Sequence, residues 1–198
     1  GLPLPLRRGR VRARGPERDA RRDRRVVRRV GEGGDAVRPD DPARAEAFSR
    51  GPHCAAIQQR FNLFEGNREV LAICEEAEMA SIVRGPLAQG LLTGKFTAES
   101  TLPSNDVRHS WDFREGEQAK RLAALAAIRE VRTTQKRTLA QGALGWLWAR
   151  SKVMVPIPGF KTVAQVEENT AAMWFGPLSP DDMAEIDELM AEAYGGQR

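Results

Sequence analysis

The composition of the chain changes abruptly at Pro39, and this change limits what the chain can fold into. Residues 1–38 contain 13 arginines but no aromatic residue, isoleucine, methionine or lysine. With 5 acidic side chains the segment has a net charge of +8, whereas the whole chain of 198 residues has +4. Such a segment buries too little apolar surface to offset the entropy of ordering, so we expect disordered or irregular structure there. The folded domain is expected over residues 39–198.

Three interpretations of residues 1–38 stay open at this point. Clusters such as Arg21-Arg22-Asp23-Arg24-Arg25 can neutralise phosphates and would suit a nucleic-acid-binding arm. The segment lacks aromatic side chains that stack on bases, so nucleic acid is not the partner we expect. A second interpretation is a solvated tail. The third is a GC-rich gene read out of frame, because Gly, Ala, Arg and Pro have GC-only codons and fill 25 of the 38 positions.

The sequence excludes several classes of protein. No run of apolar residues approaches the ~18–20 that a membrane-spanning helix needs. Cys54 and Cys74 are too few for a disulfide scaffold, and His53 and His109 provide no zinc-finger spacing, so no metal site is predicted. The chain begins without an apolar secretory signal. We therefore expect reduced thiols and a cytoplasmic protein.

Short apolar runs alternate with amphipathic segments after Pro39. The runs lie at 54–57, 80–83 and 153–157, and each has the length of a strand. Helices are predicted over 42–49, from Asn67, around 122–131, from the capping boxes Thr138–Gln141 and Thr162–Gln165, and from Ser179. This alternation predicts parallel βαβ units. Three strands are too few for a closed (β/α)8 barrel, which takes ~250 residues.

Two segments carry candidate chemistry, each directly after a predicted strand. The first runs from Ala80 to Phe96 (ASIVRGPLAQGLLTGKF) and the second from Ile157 to Asn169 (IPGFKTVAQVEEN). Backbone amides and a lysine at the carboxyl ends of parallel strands suit a phosphate group. Taken alone, Gly159 could simply form a turn, Thr162 could simply cap a helix, and Lys95 could be solvated.

From about residue 40 to 193 the chain resembles the carboxyl-terminal half of the aldo-keto reductases, a family of NADP-dependent (β/α)8 barrels. The resemblance rests on the two segments above, on CAAIQQRFNLF (Cys54 to Phe64) and on TLAQGALGWLWARS (Thr138 to Ser151). It implies that the three predicted strands are barrel strands six, seven and eight. The expected fold is therefore an incomplete α/β barrel with an Arg-rich segment before it.

The resemblance also implies a site for NADP(H). Gln58 matches a contact to the nicotinamide carboxamide, and Arg84 matches a residue that packs on the nicotinamide ring. Pyrophosphate contacts are implied for Gly85, Pro86, Leu87, Gln89 and Lys95. Gly159 and Lys161 match the site of the 2′-phosphate, which favours NADP over NAD by charge. The adenosine end is implied to contact Gln165, Glu168 and Asn169.

The resemblance does not supply a catalytic group. The family uses an Asp, Tyr, Lys and His tetrad from the amino-terminal half of the barrel, and no part of residues 1–38 matches that region. Tyr194 is the only tyrosine, and it follows the last predicted helix. We therefore expect an aldo-keto reductase fragment that is inactive on its own, whose parent reaction is NADPH-dependent reduction of aldehydes or ketones. The alternatives are a non-catalytic NADP-binding scaffold module and an Arg-rich nucleic-acid binder.

Overall fold

The computed structural model of the protein describes residues 41–51 and 54–194. The predicted tail 1–38 and His53 lie outside these described residues. The helices and strands, in chain order, are α1 (Pro42–Ser49), β1 (Ala56–Arg60), α2 (Arg68–Glu76), β2 (Ala80–Arg84), α3 (Gly116–Ala127), α4 (Arg129–Arg132), α5 (Leu139–Arg150), β3 (Met154–Pro156), α6 (Val163–Phe175) and α7 (Pro180–Tyr194). Two 3-10 segments, Ala88–Thr93 and Thr134–Lys136, lie between them. This order confirms the predicted alternation of α and β.

The three strands form one parallel sheet in the order β1-β2-β3. Ile57 pairs with Ser81, which pairs with Met154, and these side chains lie on the buried face of the sheet. Gln58, Ile82 and Val155 pair in the same way and lie on the opposite face. Val155 is 48% exposed on that face, so the described helices cover only one side of the sheet.

The predicted helix starts are built by local hydrogen bonds. Asn67 Oδ1 accepts from the backbone nitrogens of Glu69 and Val70 at 3.0 and 3.2 Å. Thr138 and Gln141 form the predicted reciprocal capping box at the start of α5. At α6 Thr162 Oγ1 accepts from the Gln165 nitrogen at 3.3 Å. The Gln165 side chain, however, accepts from the nitrogen of Lys161 and not of Thr162, so the second predicted box is not reciprocal.

Other predicted boundaries shift. Strand β1 covers 56–60 and not 54–57, and β3 is shorter than the predicted 153–157. The helix predicted around 122–131 is two helices, because the backbone of Ile128 has ψ of 9° and ends α3. The helix that begins after Asn67 ends at Glu76, and Ala77, which follows it, is exposed.

The helices pack on the covered face of the sheet in two clusters. The larger joins Val83 and Met154 to α3, α5 and α7, with Leu147 and Ile186 fully buried. The smaller lies beneath α1 and α2, around Ile57, Val70 and Cys74. None of the described helices is long and apolar enough to cross a membrane. Within the described ranges no group of three His, Cys, Asp or Glu residues could hold a metal ion. The helical layer leaves the carboxyl edge of the sheet, where the loops after β2 and β3 begin, for the candidate site.

Candidate functional site

The loop after β2 has an unusual backbone. Ala88 and Gln89 have φ angles of 46° and 54°, and Gly85, Gly90 and Gly94 have φ of 67°, 91° and 74°. Left-handed φ is costly for residues other than glycine, and such local strain concentrates at ligand sites. Consecutive turns of this kind direct backbone N–H groups into a concave surface, which suits an anion.

Buried side chains hold this loop against the domain. Pro86, Leu87, Leu91 and Leu92 are buried, whereas Gln89 at the tip is exposed. Asn62, from the segment after β1, donates its side-chain Nδ2 to the carbonyl oxygen of Gly85 at 3.0 Å. The loop is thus fixed at both ends, and its exposed tip lies beside the end of β2.

Three cations come together around the tip of the loop. Lys95 follows the loop, Lys161 follows β3, and Arg108 comes from the long connection between β2 and α3. The positive charges of Arg108 and Lys161 both act on Lys95, so the three groups lie close enough to repel. Gly90 leaves room for Lys95, since a Cβ there would lie 2.7 Å from Lys95 Nζ.

Arg108 organises this cation cluster, which we define as Lys95, Arg108 and Lys161. Its Nη1 donates to the carbonyl oxygen of Gln89 at 2.5 Å. Its Nε and Nη2 donate to the two carboxylate oxygens of Asp106 at 2.8 and 2.6 Å. The guanidinium also lies over the ring of Phe96, 5.3 Å from the centroid. Arg108 therefore joins the loop tip to the long connection that follows it.

The electrostatics of the cluster favour an anion. Burial, and then the charges of Arg108 and Lys161, lower the pKa of Lys95 from its ordinary value of 10.5. Hydrogen bonds from Arg108 hold the pKa of Asp106 far below its usual range, so this carboxylate stays charged. Among the described residues, Asp106 is the acidic group whose negative charge raises the pKa of Lys95, against these effects. Three positive charges thus face one negative charge, and an anion would relieve the excess.

The segment after β3 presents open space next to the cluster. Gly159 is exposed, and a Cβ there would meet no atom within 4 Å. The backbone nitrogen of Lys161 donates to Gln165 Oε1 at 2.6 Å, which fixes the start of α6. Asn169 is buried on α6. Gln141 Nε2 donates to the carbonyl oxygen of Glu168 at 3.1 Å, so α5 supports that side of the site.

Gln58 and Arg84 share the uncovered face of the sheet. Gln58 pairs with Ile82, and Arg84 follows Ile82 by two residues, so all three side chains lie on one face. The neighbouring Gln59 points the other way, is fully buried, and donates to Ser81 Oγ at 2.8 Å. Of the two adjacent glutamines, the one matched by the resemblance is therefore the exposed one.

Sequence reasoning missed Arg108 and Asp106. Both lie in the long connection, and the spacing Asp106-Val107-Arg108 was the only local signal. In the structure Asp106 Oδ1 accepts from the Arg108 nitrogen at 2.9 Å, which forms a tight turn. The turn at Asp106 and Arg108 gives no indication in the sequence that Arg108 will bond the carbonyl oxygen of Gln89, 19 residues earlier. His109 lies beside it, exposed, with Nδ1 3.0 Å from the Asp106 carbonyl oxygen.

Comparisons with curated proteins and with solved structures both find oxidoreductases. An NADP(+) aldo-keto reductase named yakc from Schizosaccharomyces pombe is 31% identical over 72% of this chain and 44% of its own length. A chloroplastic pyridoxal reductase from Arabidopsis thaliana is 30% identical over 73% of this chain and 39% of its own length. The chain thus spans less than half the length of these curated relatives.

Two solved structures show the same fold. A glycerol dehydrogenase from Gluconobacter oxydans superposes with a TM-score of 0.64 at 22% identity, covering 72% of this chain and 44% of that one. An aldo/keto reductase from Klebsiella pneumoniae, solved in complex with NADP and acetate, gives 0.55 at 22% identity over 80% of this chain and 47% of that one. A sequence model of the aldo/keto reductase family matches residues 38–191. The chain belongs to the aldo/keto reductase family.

Proposed function

We propose that this chain binds NADP(H) at the carboxyl edge of its sheet. The cation cluster of Lys95, Arg108 and Lys161 carries the proposal, because Asp106 is its nearby acidic group and open space lies beside Gly159, two residues before Lys161. A dinucleotide with an additional 2′-phosphate has the negative charge that such a cluster lacks.

The described residues fit this cofactor. The space beside Gly159 would admit a phosphate next to Lys161, and the left-handed loop at Gln89 would follow the pyrophosphate. Gly85, Pro86 and Leu87 form the first part of that loop, and Gln165, Glu168 and Asn169 follow on α6 for the adenosine end. Gln58 and Arg84, on the uncovered sheet face, would contact the nicotinamide.

For the complete protein we propose reduction of a small aldehyde or ketone. Relatives named pyridoxal reductase and L-glyceraldehyde 3-phosphate reductase support this substrate class. When bound, NADPH supplies the hydride, and a second group must deliver a proton to the nascent alkoxide. This chain spans less than half the length of these relatives, and the role that we assign to its own residues is to bind the cofactor.

For the 198-residue chain on its own we propose cofactor binding without turnover, as the partial barrel of an aldo-keto reductase. Tyr194 is the only tyrosine and is the last residue of α7, away from the loops after β2 and β3 in sequence. His109 is exposed, and its Nδ1 lies 3.0 Å from the backbone carbonyl oxygen of Asp106. Neither residue supports the role of proton donor. The free thiols of Cys54 and Cys74 support a reducing compartment, the cytoplasm.

Calorimetric titration of the purified chain with NADP+ tests the proposal, with NAD+ as the matched ligand. We expect NADP+ to bind and NAD+ to bind at least tenfold more weakly. Lys161→Gln should bring the two affinities together, because it removes the charge assigned to the 2′-phosphate. Equal affinity for both nucleotides in the unmodified chain, or no binding, would contradict the proposed site.

A second measurement tests turnover. The absorbance of NADPH is followed with an aldehyde such as pyridoxal in the presence of the chain. We expect no oxidation above the protein-free rate. Oxidation that disappears with Lys161→Gln would refute the proposal that the chain binds the cofactor without using it.

A further inference from the structure

A cavity of about 480 Å³ lies beside the loop that follows β2. It is open to solvent on one side and is lined mainly by the segment 91–98, by α3 and by α4. Its large apolar lining residues are Leu91, Phe96, Phe113, Leu122, Leu125 and Leu139. Its charged lining residues are all arginines, namely Arg114, Arg129 and Arg132. A cavity of this volume suits a small molecule, and this lining suits one that is apolar with a negative end.

Arg132 is the unusual member of this lining because it is 1% exposed. Its Nη2 donates to the carbonyl oxygens of Leu92 and Leu139 at 2.5 and 2.6 Å. Its Nε has no hydrogen-bond partner, and none of the ion pairs within residues 41–51 and 54–194 includes it. A buried charge without a counter-charge is costly, and such charges in proteins are normally paired.

Arg132 nevertheless remains charged at neutral pH. Burial, and then the positive charge of Arg129, lower the pKa of Arg132 to about 10. Arg129 lies one helical turn before Arg132, and its Nη1 would be 3.8 Å from a Cβ on Gly94. Two guanidinium groups therefore flank the segment 92–94, and the cavity lining contains no carboxylate.

We propose that this cavity binds an amphipathic carboxylate, whose charged end pairs with Arg129 and lies toward the buried positive charge of Arg132. The apolar chain lies against Phe96, Phe113 and Leu122. Phe96 also marks the boundary with the cation cluster, since Lys95 Nζ lies over its ring at 4.8 Å while Phe113 stacks on it at 4.9 Å. Lys95 and Arg108 do not line this cavity, so the site is separate from the proposed cofactor site.

The test is calorimetric titration of the full chain with decanoate below its micellar concentration. Decyltrimethylammonium, which has the same chain length and the opposite charge, and inorganic phosphate, which has the charge without the chain, are titrated in parallel. We expect one decanoate site per chain, with at least tenfold weaker binding of the other two. Binding of either comparison ligand as tightly as decanoate would overturn the proposal, as would no binding of decanoate.

Substitutions locate the site. Arg129→Gln should weaken decanoate binding about tenfold or more by removing one charge-assisted contact, while Lys120→Gln on the exposed face of α3 should leave it unchanged. Ala123→Trp fills the cavity and should abolish binding, whereas Ala127→Trp, on the same helix but outside the lining, should not. Both alanines are exposed, so the substitutions spare the core, and a thermal melt checks the fold. Binding that survives Ala123→Trp would place decanoate elsewhere and refute the assignment.

Discussion

Arg108 donates a hydrogen bond through Nη1 to the carbonyl oxygen of Gln89, 2.5 Å away and 19 residues earlier in the chain. Gln89 has a left-handed backbone, with φ of 54°, at the tip of the loop after β2. Arg108 thus satisfies the carbonyl oxygen of a strained turn with a hydrogen bond, and it brings a positive charge next to Lys95. One side chain sets both the shape and the charge of the proposed phosphate site.

Replacement of Arg108 should therefore weaken cofactor binding more than the loss of one surface charge would. We expect Arg108→Met to raise the Kd for NADP+ by about tenfold to a hundredfold, as for a charge-assisted contact. Arg108→Lys keeps the charge but lacks the planar guanidinium that bonds Asp106 and Gln89 at the same time, so its Kd should be intermediate. Lys152→Gln, an exposed charge just before β3, is the control and should leave the Kd unchanged. Calorimetry measures all four proteins, and equal losses in Arg108→Met and Lys152→Gln would contradict this role.

The affinity for NADP+ should depend on pH at the alkaline side. The pKa of Lys95 lies below its ordinary 10.5, so the free chain loses this charge earlier than an exposed lysine does. A bound phosphate favours the charged form and raises that pKa again. Affinity is therefore complete below the lowered pKa and falls as pH rises through it. Kd measured from neutral to alkaline pH should show the fall, and in Lys95→Arg the fall should be absent.

The same pKa has the opposite effect on folding. Between the lowered pKa of folded Lys95 and the ordinary value of 10.5, the unfolded chain binds more protons than the folded chain. The contribution of this group to the free energy of unfolding therefore rises with pH in that window. A decline of NADP+ affinity that merely followed loss of the folded state would contradict the phosphate role, and circular dichroism at each pH separates the two.

Gly142 should tolerate no side chain. A Cβ at this position of α5 would lie 2.0 Å from the carbonyl oxygen of Arg132. We expect Gly142→Ala to lower the free energy of unfolding by about 1–3 kcal/mol through overpacking, although alanine is the better helix former. Gly159→Ala is the control, because a Cβ there meets nothing within 4 Å, and it should change stability by less than about 0.5 kcal/mol. Urea unfolding curves compare the two, and equal effects would refute the packing argument.

The capping box at the start of α5 should contribute measurably to stability. Thr138 Oγ1 accepts from the Gln141 nitrogen at 3.2 Å, and Gln141 Oε1 accepts from the Thr138 nitrogen at 2.9 Å. We expect Thr138→Ala to cost about 1 kcal/mol, while Thr138→Ser, which keeps the hydroxyl, should cost only a few tenths. Thermal and urea unfolding measure both. A serine variant as unstable as the alanine variant would show that the methyl group, and not the cap, stabilises the helix.

Local features of the fold were predictable from the sequence because their partners are close along the chain. Asn67 caps the helix that begins at the next residue, and Thr138 and Gln141 are three residues apart. The alternation of strands and helices likewise follows from short-range apolar periodicity. The predicted start of β1 was wrong by two residues, because the strand begins where pairing with β2 begins, at Ala56.

The parts that could not be predicted depend on contacts over long stretches of chain. Arg108 reaches Gln89 across 19 residues, and Arg132 reaches Leu92 across 40. Neither arginine differs locally from a solvated one, and periodicity carries no information on which carbonyl oxygen it will meet. The candidate cofactor residues came from a resemblance to a family, and their role stays a prediction for the titrations above.

The uncovered face of the sheet determines how this protein must be handled. Val155 and Ile157 are 48% and 46% exposed there, and burial of such exposed apolar surface against another molecule lowers the free energy. We expect association through this face to increase with protein concentration, as mass action requires. We therefore expect the apparent affinity for NADP+ to depend on protein concentration, and a dilution series is the first experiment to do.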